Sequence, residues 1–160
     1  MTDHRCPQCG VELPKGVPAW VRQLTVAQVM TPDPVTIGPE DTLMSALELM
    51  RKHGIRRVPV VVAGTLVGLL AEGDLKRAQP SILSATEAEF NRVMEATPVS
   101  RIMIQNPLTV GEGTSLLEAA QTLHTTKFGA LPVVGAGGLR GMLTDSDLIR
   151  CLASLLSHGG

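Results

Sequence analysis

The residues best equipped for chemistry lie in three short runs. In Thr144-Asp-Ser-Asp147 a hydroxyl and a carboxylate stand three residues apart, where a β-rich run gives way to a helical one. The unpaired N–H groups of a helix start favour a phosphate oxygen, with the Thr144 hydroxyl as an added donor, and the Asp147 carboxylate can accept from both hydroxyls of a sugar such as ribose. The same spacing is also close to a capping box, in which Thr144 caps the helix and Asp147 reaches back, worth about 1 kcal/mol without any ligand. A second run, Arg51-Lys-His-Gly-Ile-Arg-Arg57, concentrates cations just ahead of Val58-Pro59. Adjacent residues of a strand point to opposite faces, so only one of Arg56 and Arg57 can face a given cleft, and Arg57 is the choice. The plain alternative is a solvated basic face with cations near a helix C-terminus.

The third run, Cys6-Pro-Gln-Cys9-Gly10, has the form of a zinc knuckle, in which a turn aims two thiolates at one metal and the glycine relieves the backbone. His4 is the candidate third ligand. A closed site needs four, so the last comes from another histidine, or a twofold axis joins two knuckles. A redox pair and a degenerate remnant are the alternatives, and the redox one suffers because no βαβ pattern surrounds the motif. Elsewhere no nucleophile or acid–base set assembles. His53, His124 and His158 fall at predicted helix ends, Cys151 lies in a predicted helix, and no phosphate-loop or dinucleotide fingerprint occurs. The chain reads as a non-enzyme.

What must position these runs is a duplication. Val26 to Ala78 aligns with Val99 to Cys151 at a shift of 73 residues without a gap, and 18 of the 53 aligned positions are identical. Met30/Met103, Pro34/Pro107, Gly38/Gly111, Ala46/Ala119, Pro59/Pro132, Gly68/Gly141 and Asp74/Asp147 are among them. In the first copy Pro34 to Ile37 reads as a strand, a helix starts near Thr42 and stops at Gly54, strands run over 57–62 and 66–70, and a second helix starts about Glu72. The second copy repeats the order: strand 107–110, helix 115–126 with Ser115-Leu-Leu-Glu118 as a capping box, strands 130–134 and 139–143, and a last helix from Asp145 to about Leu156. The fold class is thus α/β (α+β), two β-α-β-β-α repeats packed as a pseudo-twofold pair. A unit of about 50 residues has too little interior to be comfortable alone, so packing the two together supplies the core. The expected organisation is a cysteine knuckle and connector (1–20), a first repeat (21–79), a connector (80–98) and a second repeat (99–160). In that connector Thr86-Glu-Ala-Glu89 opens a helix through Met94, laid against the pair.

Composition narrows the partners. Aromatic residues make up 2% of the chain, which leaves base stacking nearly unavailable, and a formal net charge of −1 supplies no field for a polyanion or a membrane surface. No stretch approaches the roughly 18–20 apolar residues that span a bilayer, and MTDHRCPQCG has no apolar signal core. Three cysteines make no disulfide framework, so a soluble, cytoplasmic protein is expected.

Met30-x-x-x-Pro-Val-Thr-Ile, Asp41-Thr-Leu-x-x-Ala-Leu-x-x-Met, Val58-Pro-Val-Val and Gly68-Leu-Leu-x-x-x-Asp-Leu, echoed by Met103-x-x-x-Pro-Leu-Thr-Val, Leu131-Pro-Val-Val and Gly141-Met-Leu-Thr-x-x-Asp-Leu, resemble a tandem pair of CBS domains. The likeness covers about Leu24 to Leu156. The connector, with Asp74-Leu-Lys-Arg-Ala-x-Pro-Ser, is similar to that of stand-alone pairs of the acetoin-utilisation type. The resemblance implies clefts that hold adenine nucleotides (AMP, ADP, ATP) or adenosyl ligands such as S-adenosylmethionine, a homodimer in the shape of a flat disk, and regulation of a separate, unidentified protein. It assigns ribose to the position of Asp147 and makes Arg56 and Arg57 phosphate candidates.

The copies differ where the ligand would sit. Ala71-Glu-Gly-Asp74 keeps the carboxylate and loses the hydroxyl, while Gly129-Ala130 stands where the first copy has Arg56-Arg57. One cleft combining both sets of equipment is the expectation, with one nucleotide per chain and the base bordered by Thr36 and Ile37 or Thr109 and Val110, with Thr42 or Ser115. The rival functions are a constitutive dimerisation module that has lost its ligand and a zinc-assisted DNA-associated regulator. The last lacks a basic recognition helix and a positive net charge.

Overall fold

The computed structural model describes residues 5, 8–10, 12, 18–81 and 83–157. Two short helices, α1 (Ala19–Arg22) and α2 (Val26–Val29), lead into β1 (Thr31–Pro32), and the first repeat continues as α3 (Leu43–His53), β2 (Arg57–Val62), β3 (Thr65–Ala71) and α4 (Glu72–Ala78). The connector helix α5 (Glu87–Ala96) and a 3-10 turn (Val99–Arg101) precede β4 (Ile104–Gln105), β5 (Val110–Gly111), α6 (Leu116–Thr126), β6 (Ala130–Gly135), β7 (Gly138–Thr144) and α7 (Asp145–Ser157). The two-copy α/β architecture read from the sequence is the one observed.

Local chemistry explains the helix ends. The hydroxyls of Thr42, Thr86 and Ser115 each accept from the N–H three residues on, at 3.1, 3.2 and 3.1 Å, which satisfies a donor that the first turn leaves free. Helix α3 stops at Gly54 and α6 at Lys127, both left-handed at φ 63° and 59°. The second repeat thus accepts at a lysine the conformation that glycine adopts freely.

The leading strands depart from expectation. Pro34 to Ile37 forms no continuous strand: only Ile37 bridges to Val60, and the corresponding run in the second repeat shrinks to β5. Proline has no N–H to offer a ladder, and Asp33 and Asn106, at φ 44° and 48°, turn the chain immediately before Pro34 and Pro107. Ahead of each turn lies a two-residue strand that the sequence did not announce, and it pairs with the other repeat. The sheets are β1-β7-β6-β5 and β2-β3-β4, so β1 lies on β7 (Thr31 opposite Met142, Pro32 opposite Gly141) and β4 on β3 (Gln105 opposite Gly68, Ile104 opposite Leu69).

The exchange extends to both cores. Val26 is buried with Ala119, Leu123, Leu131, Val133 and Leu143 of the second repeat, with Val29 and Met30 beside them. Met94 of α5 and Val99 are buried with Leu43, Met50, Val58, Leu70 and Leu75 of the first. The connector helix is therefore laid against the first repeat. Between the sheets, Leu69, Ala130 and Met142 form a small buried cluster, and the hairpin tips meet where Leu139 N–H donates to the Gly64 carbonyl at 3.2 Å. Among the described residues no helix is long and apolar enough to cross a membrane.

Glycine is required where the strands exchange. A Cβ on Gly141 would stand 2.5 Å from Met30 Sδ and 2.9 Å from the Thr31 carbonyl oxygen, and one on Gly68 would stand 2.5 Å from Met103 Sδ. Gly141→Ala is expected to lower the unfolding free energy by about 1–3 kcal/mol, because backbone as well as side chain must give way. Gly137→Ala, with nothing within 4 Å of the added carbon, should stay within about 0.5 kcal/mol of the parent. Urea titrations of the two variants check this, and equal midpoints would refute the seat.

Candidate functional site at the start of helix α7

Strand β7 delivers Thr144 and α7 begins at the next residue, which brings Thr144 and Asp147 together as anticipated. Asp147 is 3% exposed, the one buried charged side chain among the described residues. Its Oδ2 accepts from Thr144 N–H and from the Thr144 hydroxyl, both at 2.8 Å, and the Thr144 hydroxyl oxygen accepts from Asp147 N–H at 3.3 Å. The capping box is thus formed. Oδ1 accepts from the Thr31 hydroxyl at 3.0 Å and pairs with the Arg150 guanidinium, whose side chain is 65% exposed. An ionised carboxylate has about four acceptor positions, and here protein donors use all of them.

The first repeat is less well equipped. Asp74 pairs with Arg77, as Asp147 does with Arg150, but Ala71 caps nothing and Ile104 holds the position equivalent to Thr31. The exchange of leading strands decides which carboxylate gains the hydroxyl: Thr31 travels with β1 onto β7. Sequence reasoning missed Thr31 and Arg150. The repeated Asp-Leu-x-Arg of Asp74 to Arg77 and Asp147 to Arg150 could have revealed the arginine; only the exchange reveals the threonine.

The two arginines ahead of Pro59 diverge. Arg56 reaches Glu72 at 4.0 Å and lines a cavity of about 320 Å³ between α3 and α4, floored by Leu47, Met50, Ile55 and Leu75 and away from Asp147. Arg57, opposite Ala71 on the sheet, crosses to the second repeat and covers the buried Gly129. A Cβ on Gly129 would stand 2.5 Å from Arg57 Nη2 and 2.9 Å from Cζ. The Gly129 carbonyl in turn accepts from the N–H of Asp145, the first residue of α7, at 3.3 Å. Arg57 therefore lies beside the start of α7.

The bordering residues take several places. Between Pro32, paired with Gly141, and Ile37, bridged to Val60, the chain passes from one sheet to the other, so exposed Thr36 and buried Ile37 end that crossing. Thr109 and Val110 hold the equivalent positions, with Val110 opposite Val133. The Thr42 and Ser115 hydroxyls are engaged as helix caps. Cys6 and His4 lie outside the described residues; Cys9 is an exposed free thiol, and among the described residues no group of three or more metal-ligating side chains gathers.

What the fold and this site define is a tandem α/β repeat pair with strands exchanged and two unequally equipped helix starts. The profile of the CBS domain matches residues 26–81 and 99–154, and the chain belongs to the CBS domain family. A CBS domain-containing protein of Dictyostelium discoideum is 35% identical over 137 residues, covering 84% of this chain and 94% of its own. Among solved structures, a Vibrio cholerae protein described as an acetoin utilization protein (AcuB) superposes with a TM-score of 0.72 at 31% identity, over 84% of this chain and 94% of that one. CBSX2 of Arabidopsis thaliana, solved in complex with AMP, gives a TM-score of 0.69 at 32% identity, over 82% and 97% of the two chains.

The Arg57–Gly129 contact makes a prediction about coupling. Gly129 has φ 68°, so Gly129→Ala carries backbone strain of about 1–2 kcal/mol together with the clash. In an Arg57→Ala background only the strain remains. A double-mutant cycle by thermal unfolding should therefore show the double variant less destabilised than the sum of the two single variants. Strict additivity would mean that the guanidinium does not rest on Gly129.

Proposed function

We propose that this chain is a regulatory CBS pair that binds an adenine nucleotide or related adenosyl ligand at the start of α7 and signals to a separate protein. The observation that carries the reading is the buried Asp147 beside Thr144 at a helix N-terminus, in a fold shared with a protein solved in complex with AMP. Ribose hydroxyls enter at Oδ1, where the exposed Arg150 can swing into water at small cost, since exposed ion pairs contribute about 0–1 kcal/mol. A phosphate meets the N–H of Ser146 and takes the Thr144 hydroxyl proton from Asp147 Oδ2, since the N–H groups of Asp145 and Asp147 are held by the Gly129 carbonyl and the Thr144 hydroxyl oxygen, and the crossing through Thr36 and Ile37 borders the base. The cleft of Asp74 is the weaker one, for want of the Thr144 and Thr31 hydroxyls.

Calorimetry and thermal unfolding with AMP, ATP and S-adenosylmethionine test this. A ligand at 100 times its dissociation constant adds about 2.7 kcal/mol to the native state, so at least one probe should raise the melting temperature by several degrees. Asp147→Ala is expected to abolish that shift and Asp74→Ala to preserve most of it. No shift with any probe would instead support the constitutive dimerisation module, which the full occupation of Asp147 by protein donors favours.

The homodimer belongs to the same reading. Ile149, Leu152 and Leu156 are 67%, 56% and 74% exposed and share one face of α7, an apolar stripe suited to the same stripe of a second copy. Light scattering should give twice the chain mass, and Leu152→Glu should halve it; a parent that is already monomeric removes the dimer. Zinc at Cys6, Cys9 and His4 is a separate proposal. It is supported by the antiparallel bridge of Arg5 with Glu12 across the turn at Gln8 and Cys9, and by Gly10 at φ 71°. Metal analysis of the parent against Cys6→Ser/Cys9→Ser tests it, equal and negligible zinc being the adverse result. Cytoplasmic residence is proposed with it, supported by the free thiols of Cys9 and Cys151.

A further inference from the structure

We infer that Thr31, carried over from the first repeat on β1, receives one of the two ribose hydroxyls and leaves the other to Asp147, so that an intact diol is read by both repeats together; this rests on the adenosyl reading above.

The acceptor positions of Asp147 limit what it can take. On Oδ2 both are held from within the cap, by the Thr144 N–H and the Thr144 hydroxyl, each at 2.8 Å. The Thr144 oxygen is itself held by the Asp147 N–H, so it covers its position even when its proton turns to a phosphate. On Oδ1 one position belongs to the Thr31 hydroxyl, at 3.0 Å, and the other to Arg150. Arg150 is 65% exposed and leaves at small cost, which opens a single position. One ribose hydroxyl donates there, and its neighbour needs a different acceptor.

The Thr31 oxygen is that acceptor. Thr31 is exposed, and the only hydrogen bond of its hydroxyl among the described residues is the one donated to Oδ1. A hydroxyl that has spent its proton keeps two lone pairs, and donation to a carboxylate strengthens them as acceptors. Adjacent oxygens of a ribose stand about as far apart as two hydrogen-bonded oxygens, and Thr31 Oγ1 lies 3.0 Å from Asp147 Oδ1. The two acceptors therefore match a cis-diol in spacing.

The copies differ at this position. Thr31 lies opposite Met142 of β7, so the exchange that packs Met30 on Gly141 also sets its hydroxyl on Asp147. Its equivalent is Ile104, whose exposed side chain has no polar atom, and the paired acceptor is thus built at the α7 end alone. A diol bound there spans the exchanged strand and the helix.

Calorimetry with AMP, 2′-deoxy-AMP and 3′-deoxy-AMP on the parent, Thr31→Val, Thr31→Ser and Asp147→Ala tests the inference. The parent should prefer AMP to both analogues, by at least about tenfold where the missing hydroxyl faced the carboxylate and about threefold or more where it faced Thr31. Valine keeps the shape of threonine with a methyl in place of the hydroxyl. Thr31→Val should therefore bring AMP down to the level of the second analogue while that analogue itself changes less than about twofold, and Thr31→Ser should keep most of the preference. A general loosening of β1 would weaken AMP and both analogues alike, so the ratio of AMP to each analogue is the decisive quantity. If Asp147→Ala abolishes binding while Thr31→Val keeps both ratios or sharpens them, the inference falls and the adenosyl reading stands. If Asp147→Ala changes nothing, or the parent binds none of the probes, the adenosyl reading falls and takes the inference with it.

Discussion

Everything in this fold depends on two close contacts in which the backbone of one repeat lies against a methionine and a carbonyl of the segment leading the other. Met30 on Gly141 and Met103 on Gly68 are the same contact made twice. Without a side chain at the glycine, the leading strand can come within ladder distance of the sheet's inner strand; with one, the strand would be held off and the exchange lost. From the exchange follow the burial of Val26 in the second core and of Val99 in the first. Neither unit is complete without the other's leading segment, which answers the shortage of interior in units of this size.

The exchange also makes the two helix starts, at Asp74 and Asp147, unequal. Residues in which the first repeat differs from the second do not stay at home: Thr31 is carried to Asp147, and Arg57 reaches over Gly129. Both strengthen the same helix start, that of α7. The first repeat receives in return Ile104, opposite Leu69, and Ala130, buried with Leu69, which bring no polar group. Divergence after duplication has concentrated polar equipment at one end of a nearly symmetric scaffold.

At that end the proposed recognition would draw on atoms that already serve stability. Asp147 caps α7, bonds the exchanged strand through Thr31 and pairs with Arg150, so its carboxylate ties together a helix, a strand and a side chain from two repeats. A ligand hydroxyl that replaced the Arg150 contact would meet a carboxylate already aimed and desolvated, with its other bonds intact. For Asp147 the capping and ligand readings are therefore compatible, since the cap uses Oδ2 and leaves Oδ1 to exposed donors, whereas the one Thr144 hydroxyl proton serves either the cap or a ligand.

Much of this was legible in the chain itself. The helices announced themselves through caps such as Thr86 and Ser115 and through apolar spacing such as Leu43, Ala46 and Met50; the hairpins did so through β-rich runs broken by Ala63-Gly64 and Gly137-Gly138. These signals act between residues a few positions apart, and so does the meeting of Thr144 with Asp147. Two-residue strands carry no periodicity, and the leading segments could have paired with their own repeat or the other. Only tertiary structure chose, because that choice rests on where Gly68 and Gly141 leave room for Met103 and Met30. The same holds for the site: the sequence by itself determined which positions differ between the copies, but the exchanged packing alone determined that Thr31 and Arg57 of the first copy serve the carboxylate and the helix start of the second.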